Sequence, residues 1–281
     1  MKTTPAAPAV RIVPAVRWPW PTTTDVRELW QYRALLWQLV RRDIRVRYAQ
    51  TLLGAAWAVL QPVVSMAIFT VIFGYLARVP SGDVPYALMA LAGLVPWTYF
   101  ATVVAASSDS LLTNRELVTK IYFPRLIIPV APILAGLVDL GIGLLVLFGA
   151  VLFWYPMGIG VELFLLPLPL IVMVIGATAI GVWATALNIQ YRDVRYVIPF
   201  VLQTGLFLSP VIYPLDIVPD GFHTVAALNP MTGVIETLRA ILLGGTIPWS
   251  VLGVSTAAAV LLFVTGTAYF RRAEQLFADV A

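Results

Sequence analysis

The chain has 281 residues, 60% of them hydrophobic and 11% charged, with 18 Lys and Arg against 14 Asp and Glu, a formal net charge of +4 and no cysteine. So little charge excludes an ordinary water-soluble domain of this length, whose helices each need a charged outer face. The absence of cysteine excludes disulfides and thiolate metal sites and leaves the redox compartment open.

Residues 1–24 are rich in Pro and Thr with scattered Arg and contain no apolar h-region. They read as a flexible tail, not a cleaved signal peptide. Residues 25–50 follow a helical period: Leu29, Trp30, Arg33, Leu36, Trp37, Val40, Ile44 and Tyr48 fall on one side, with Arg27, Gln31, Gln38, Arg41, Arg42 and Arg45 on the other. This pattern predicts an amphipathic helix along a membrane surface, with Trp and Leu in the headgroups and Arg near anionic lipid. A plain anchor and a helix that docks a partner or grips a phosphate satisfy it equally.

Uncharged runs then extend over 55–77, 84–108, 140–161, 163–191, 196–215 and 240–270. Each is long enough to cross a bilayer as helix, which takes about 20 residues. Residues 126–138 are also uncharged, so Asp139 interrupts one longer helix. The prediction is six spans: 55–77, 86–107, 127–154, 164–187, 197–213 and 248–270. Backbone amides in hydrocarbon must bond within their own segment, so the spans are helices, kinked rather than broken at Pro62, Pro96, Pro129, Pro132, Pro167 and Pro169. Trp57, Trp97, Trp154 and Trp249 lie near span ends, where indole favours the interface, although burial between helices suits them as well.

With the N-terminus inside, 16 of the 18 basic residues fall on the cytoplasmic side, and only Arg78 and Arg239 fall outside. Six crossings return the C-terminus to the same side, so span count and charge bias agree. The positive balance is thus a topology signal and no evidence for nucleic acid.

Between spans two and three lies TNRELVTKIYFPR. Thr113 and Glu116 have capping-box spacing, Leu117, Val118 and Ile121 gather on one side, and Pro124 stops the turn. A short cytoplasmic amphipathic helix is predicted, either capping the bundle or offering a contact to a soluble partner. The next cytoplasmic connection, NIQYRDVRY, holds Arg192, Asp193 and Arg195 and by charge alone is a positive-inside turn. On the external side, Asn229 and Pro230 are set to start a helix that Gly244 and Gly245 end. Its apolar residues are too few to cross, which predicts a re-entrant or interfacial segment, with Glu236 and Arg239 paired on one face.

The chain lacks a phosphate-cradling G-x-x-x-x-G-K-[ST], H-E-x-x-H, G-x-S-x-G and any Cys/His cluster, so neither catalytic nor metal-ligating residues are assigned. Its one histidine, His223, lies in the external loop. Asp139 within a span costs about 3 kcal/mol on insertion scales, so it should face the bundle interior and have a partner. Two stripes mix aromatic with polar residues: Trp57, Gln61, Ser65, Phe69 and Phe73 in span one, and Phe200, Gln203, Phe207 and Pro210 in span five. Sugars stack their C–H faces on such rings and bond hydroxyls to such amides, yet helix packing produces the same stripes.

Three stretches, RRDIRVRYAQTLLGAAWAVLQP at 41–62, NIQYRDVRYVIPFVLQTGLFLSPVIYP at 188–214 and LNPMTGVIETLRAILLG at 228–244, resemble the membrane permeases of ABC-2 type exporters for polysaccharides and polyol phosphates. The resemblance runs from about Leu29 to the C-terminus. It implies an all-α polytopic membrane protein of the bacterial cytoplasmic membrane, both termini cytoplasmic, with residues 25–50 as interface helix and 51–281 as transmembrane domain. It implies a homodimer of permeases with two copies of a separate ATPase, which binds and hydrolyses the ATP, so this chain has no cofactor of its own. The substrate would be a lipid-linked glycan or polyol phosphate. Asn114, Arg115, Glu116, Lys120 and Tyr122 would couple to the ATPase, and Arg192, Asp193 and Arg195 would form a second contact. Spans one and five would border the path, through Trp57, Gln61, Ser65, Phe69, Phe73, Phe200, Gln203 and Phe207. Arg41, Arg42, Arg45 and Arg47 would attract the lipid phosphate by position and charge. Two other classes share the apolar build. A membrane enzyme of lipid-linked glycan metabolism needs acidic pairs at a membrane face, for which Asp109 with Glu116 is a poor match; an ion-coupled carrier needs internal repeats, and none is visible.

Overall fold

The computed structural model describes residues 30–49, 56–120, 123–155 and 160–280. Residues 1–24, expected as a tail, residues 25–29 of the expected interface helix, Tyr122 and the Lys120 side chain lie outside the described residues. The described residues are mainly helical, with no strand among them. Among the described residues five segments are long and apolar enough to cross a membrane, which makes this a multi-pass membrane protein.

Helix α1, Arg33–Tyr48, precedes the first of these. Helix α2, Ala56–Phe69, runs on as a π-helical turn over Thr70–Leu76 and is the first span. Helix α3, Tyr86–Thr113, is the second, and the short α4, Arg115–Lys120, follows it. Helix α5, Ile127–Trp154, is the third. A 3-10 turn, Val161–Leu165, leads into α6, Pro167–Gln190, and together they make the fourth. Helix α7, Val194–Leu208, comes next, then α8, Asp220–Ala227, α9, Pro230–Leu243, and α10, Trp249–Val280, which holds the last span.

The helices are unequally covered. In its most apolar window α3 is 78% buried, whereas α2 is 6% buried. Helix α3 is therefore the axis of the bundle: α5 and α6 pack along it, α9 and α10 close around α6, and α2 and α7 lie at the periphery. A second apolar cluster joins Leu39 and Val40 of α1 to Phe123, Ile127, Val182 and Phe270. Helix α1 thus docks on the bundle with Leu39 and Val40 inward, while Trp30 and Trp37 stay exposed. Periodicity had set Val40 and Trp37 on one face. The protein takes the part of the apolar side centred one residue further round, because α5 offers it a packing surface.

Three expectations need correcting. The span expected at 197–213 is a 15-residue helix, Val194–Leu208. Its rise is about 22 Å, against a hydrocarbon core of about 30 Å. Charge-free length counted residues that are not helical: Pro210 has no N–H to donate, and from Ser209 the chain turns into a buried, non-helical stretch. Second, α3 continues to Thr113 instead of ending near 107, so Thr113 does not cap α4. Its hydroxyl donates to the Asp109 carbonyl at 3.0 Å, and the break falls at Asn114, whose carbonyl accepts from the amides of Leu117 and Val118. Third, Pro167 opens α6 rather than kinking it, as suits a residue whose missing N–H has no helical role in the first turn.

The buried stretch after α7 is held by side chains. The Arg239 guanidinium donates to the carbonyls of Val211 at 2.7 Å, Tyr213 at 3.0 Å and Met89 at 3.2 Å, and to the Glu236 carboxylate at 2.9 Å. The Tyr86 hydroxyl donates to the carbonyl between them, that of Ile212, at 2.7 Å. The expected Glu236–Arg239 pair is therefore present, within a larger clamp. Burial pushes the Glu236 carboxyl up and the Arg239 guanidinium down, and each partner pulls the other back. Gly93 makes room for the turn, since a Cβ there would stand 2.4 Å from the Val211 carbonyl oxygen. Helix α9 starts as expected: the Asn229 side chain accepts from the Met231 amide at 3.0 Å with Pro230 following, and Gly244 ends it at φ 74°.

Replacing Arg239 by Met strands three carbonyls and a carboxylate in the interior, so it should destabilise the protein by about 3–5 kcal/mol. Thermal unfolding in detergent checks this, with the exposed Arg41→Met as control. Equal melting temperatures for the two variants would refute the clamp.

Candidate functional site

Two groups of polar side chains stand out from the apolar bundle. The first surrounds Asp139, halfway along α5. Its carboxylate is in direct contact with the Arg47 guanidinium and the Tyr48 hydroxyl, both from the last turn of α1. The partner that Asp139 needed is thus 92 residues away in sequence. The pair lines a cavity of about 650 Å³ whose walls also include Trp57, Gln61 and Ser65 of α2, and Tyr99 and Thr102 of α3. The Tyr99 hydroxyl is engaged with the Ile133 carbonyl at 3.2 Å, which fixes that wall.

The first aromatic stripe therefore divides. Trp57, Gln61 and Ser65 border the cavity, whereas Phe69 and Phe73 stack on each other at 5.6 Å and pack against the main core further along. The second stripe, Phe200, Gln203 and Phe207 of α7, is exposed and does not reach this cavity. Helix α7 has no buried residue and turns Ile198, Leu202 and Leu206 to the core, with Gly205 against Trp97. Within one chain the two stripes do not meet.

The four arginines of α1 divide as well. Arg41 lies over the Trp37 ring at 5.1 Å, Arg42 pairs with Asp43 at 2.8 Å and donates to Asn114 at 2.6 Å, and Arg47 holds Asp139. Arg45 is exposed. They do not form one phosphate-sized cluster.

The second group lies at the end of the bundle that carries the basic blocks. Asp109, in the last turns of α3, accepts from the Asn188 amide of α6 at 2.9 Å and faces Arg195 of α7 at 3.6 Å. Asn114 bridges α3 to α1: its Nδ2 donates to the Ser110 carbonyl at 2.8 Å while its Oδ1 accepts from Arg42. The Tyr269 hydroxyl donates to Gln190 at 2.7 Å, and Arg125 donates to the Glu274 carbonyl at 3.0 Å, so α6, α10 and the segment before α5 are tied at the same end. Of the residues expected to meet a partner, Asn114 and Arg195 belong to this network. Arg115, Glu116, Arg192 and Asp193 are exposed beside it. Leu117 and Val118 of α4 pack inward, so the short helix presents its charged side outward as its pattern required.

Sequence reasoning missed Asp109, Asn188 and Gln190 as members of the network. The signal was present in polar residues just inside the ends of apolar runs, where hydrogen-bonding side chains join helices. It missed the Arg47–Asp139 contact because nothing in the spacing relates the two residues.

Comparison with known proteins gives one consistent result. The family model described as ABC-2 type transporter matches residues 34–243. The chain is 27% identical over 256 residues to the O-antigen export system permease protein RfbA of Myxococcus xanthus, covering 89% of this chain and 96% of that protein. A protein of the same name from Klebsiella pneumoniae is 28% identical over 249 residues, covering 88% and 94%. The polysialic acid transport protein KpsM of Escherichia coli is 27% identical over 213 residues, covering 74% and 81%.

Proposed function

This chain belongs to the ABC-2 type transporter family, and from that premise we propose that it is the permease subunit of an ATP-driven exporter. Its cargo is a lipid-linked polysaccharide or polyol phosphate polymer, moved from the cytoplasmic to the outer side of the bacterial cytoplasmic membrane. The observation that carries this reading is the end-to-end alignment with O-antigen export permeases, over nearly nine tenths of this chain and more than nine tenths of theirs.

In this reading residues 1–24 are a tail, 25–50 an interface helix with α1 at its centre, and 51–281 the transmembrane domain. Helix α7 together with the buried turn at 209–213 completes a sixth crossing, α9 is re-entrant from the outer side, and both termini are cytoplasmic. Two copies of the chain pair, and two copies of a separate ATPase dock beneath them. ATP is bound and hydrolysed there, and this chain contributes neither cofactor nor catalytic residue.

The two polar groups then have separate tasks. The exposed charges of α4 and of the turn at 191–193 meet the ATPase. Movement there passes to α1 through Arg42 and Asn114, and to α6 and α7 through Asp109, Asn188 and Arg195, because these bonds join the helices at the end where the ATPase docks. The aromatic faces of α2 and α7, uncovered in a single chain, line the path once a second permease stands opposite. Trp57, Phe200 and Phe207 offer stacking faces and Gln61, Ser65 and Gln203 offer hydrogen bonds, a sequence-tolerant surface suited to a repeating glycan.

Reversing the charges of Arg115 and Arg192 should reduce ATP-driven export at least tenfold while leaving the permease in the membrane; unchanged export in a vesicle assay would rule out the coupling assignment. Trp57→Ala and Phe207→Ala should slow polymer export severalfold without altering copurification with the ATPase, and normal surface polymer would remove these rings from the path. The permease reconstituted alone should move no lipid-linked glycan, and transport without a second protein would end the whole reading.

A further inference from the structure

Arg239 and Arg47 each pair with a carboxylate inside the bundle, and the two pairs are built differently. Arg239 is 7% exposed and donates to three carbonyls as well as to Glu236, so its donors are consumed by the fold. Arg47 and Asp139 are 27% and 26% exposed, and both face the 650 Å³ cavity. Among the described residues the only hydrogen-bonding partner of Arg47 is Asp139, through one of its five N–H donors. An ion pair whose task is to hold helices together gains from being saturated. This one leaves most of a guanidinium fork unused in an open cavity.

The cavity's other features indicate what would use it. A guanidinium with free donors matches the planar, bidentate geometry of phosphate oxygens. Leu60 and Val64 of α2 line the cavity while remaining exposed, so it opens beside apolar surface on which a lipid chain can lie. Gln61, Ser65 and Thr102 add neutral hydrogen-bonding groups next to the charge, where a sugar attached to a phosphate would stand. A soluble anion would require none of the apolar rim.

We propose that Arg47 is the recognition group for the phosphate of a lipid-borne ligand and that Asp139 is its built-in competitor, an anion that occupies Arg47 until the phosphate displaces it. Tyr48 then has a positioning role: by donating to the second carboxylate oxygen it holds Asp139 in the place the phosphate will take. The ligand class rests on the export reading above, but the competition is a property of this chain alone.

The test measures dissociation constants by native mass spectrometry for the full-length chain in phosphatidylcholine nanodiscs, with undecaprenyl phosphate, phosphatidylglycerol and inorganic phosphate as probes. If Asp139 holds Arg47 closed about nine tenths of the time, Asp139→Asn should bind undecaprenyl phosphate about tenfold more tightly, because the competent fraction rises toward one. Arg47→Gln should bind it at least tenfold more weakly. The opposite signs are decisive, since a merely structural pair would weaken binding alike from either side. Equal weakening in both variants, or no change in Asp139→Asn, overturns the proposal. Inorganic phosphate should bind weakly to every variant, and tight binding of it would overturn the lipid-borne source; equal affinity for phosphatidylglycerol would overturn selective recognition of a carrier-lipid phosphate over an ordinary anionic lipid. Should Arg47→Gln fail to fold, Arg47→Lys replaces it. That variant keeps the charge but loses the fork, and should still bind more weakly than the parent. Failure here with ATP-dependent export intact removes only the competitor role, whereas loss of the export reading leaves the opposite signs to be measured with the same probes.

Discussion

Three consecutive backbone carbonyls, those of the buried Val211 and Ile212 and the half-buried Tyr213, lie in a turn that is neither helix nor strand, and the rest of the structure is arranged so that none of them lacks a donor. A carbonyl without a partner in such surroundings costs several kcal/mol, which is why irregular backbone at membrane depth survives only inside protein. Arg239 supplies two of the donors and reaches Met89 on the axial helix with a third. Glu236 supplies its countercharge. Gly93 leaves the space, and Asn229 fastens the other end of the turn by donating to the Ser209 hydroxyl at 2.7 Å. The identity of one helix, α9, is thus dictated by the need to satisfy a turn made by another part of the chain.

That arrangement fixes how the bundle is divided. Helices α3, α5, α6, α9 and α10 share a continuous apolar core, closed by the clamp at one end and by the Asp109, Asn188 and Asn114 bonds at the other. Helices α2 and α7 are attached outside it. Each touches the core along one edge and leaves most of its apolar surface uncovered. In the proposed exporter this is the useful asymmetry: a rigid interior transmits displacement, and two loosely attached helices form the surface that must change when polymer passes. The cavity beside Asp139 lies where the rigid part and the peripheral α2 adjoin, so a ligand bound there would contact both.

Several features were legible from residue type and order. Apolar length gave five of the helices as spans, because a segment without charge has nowhere else to be stable. Asn229, Pro230 and Gly244 marked the ends of α9 through local backbone chemistry that needs no tertiary partner. The charged Arg115 and Glu116 followed by the apolar Leu117 and Val118 gave α4 its exposed and packed sides. What failed did so where local and distant demands compete. Charge-free length could not register that Pro210 ends a helix early, because the cost of stopping there is met by Arg239, 29 positions later in sequence. The apolar side of α1 was recognised, but a periodicity does not distinguish lipid headgroups from α5 as the surface it will face.

Sequence by itself determined the solvent: a chain with this distribution of charge can be stable only in a bilayer, as helices, with its basic blocks gathered toward one side. It also determined that Asp139 must have a partner, since the penalty for an unpaired carboxylate there does not depend on the fold. Tertiary structure alone decided that the partner is Arg47, that two aromatic stripes remain apart, and that four neighbouring arginines take four different surroundings. The reason is geometric. Helical period assigns a side chain to a face, but which element packs on that face is set by contacts between residues far apart in sequence, and no local pattern records them.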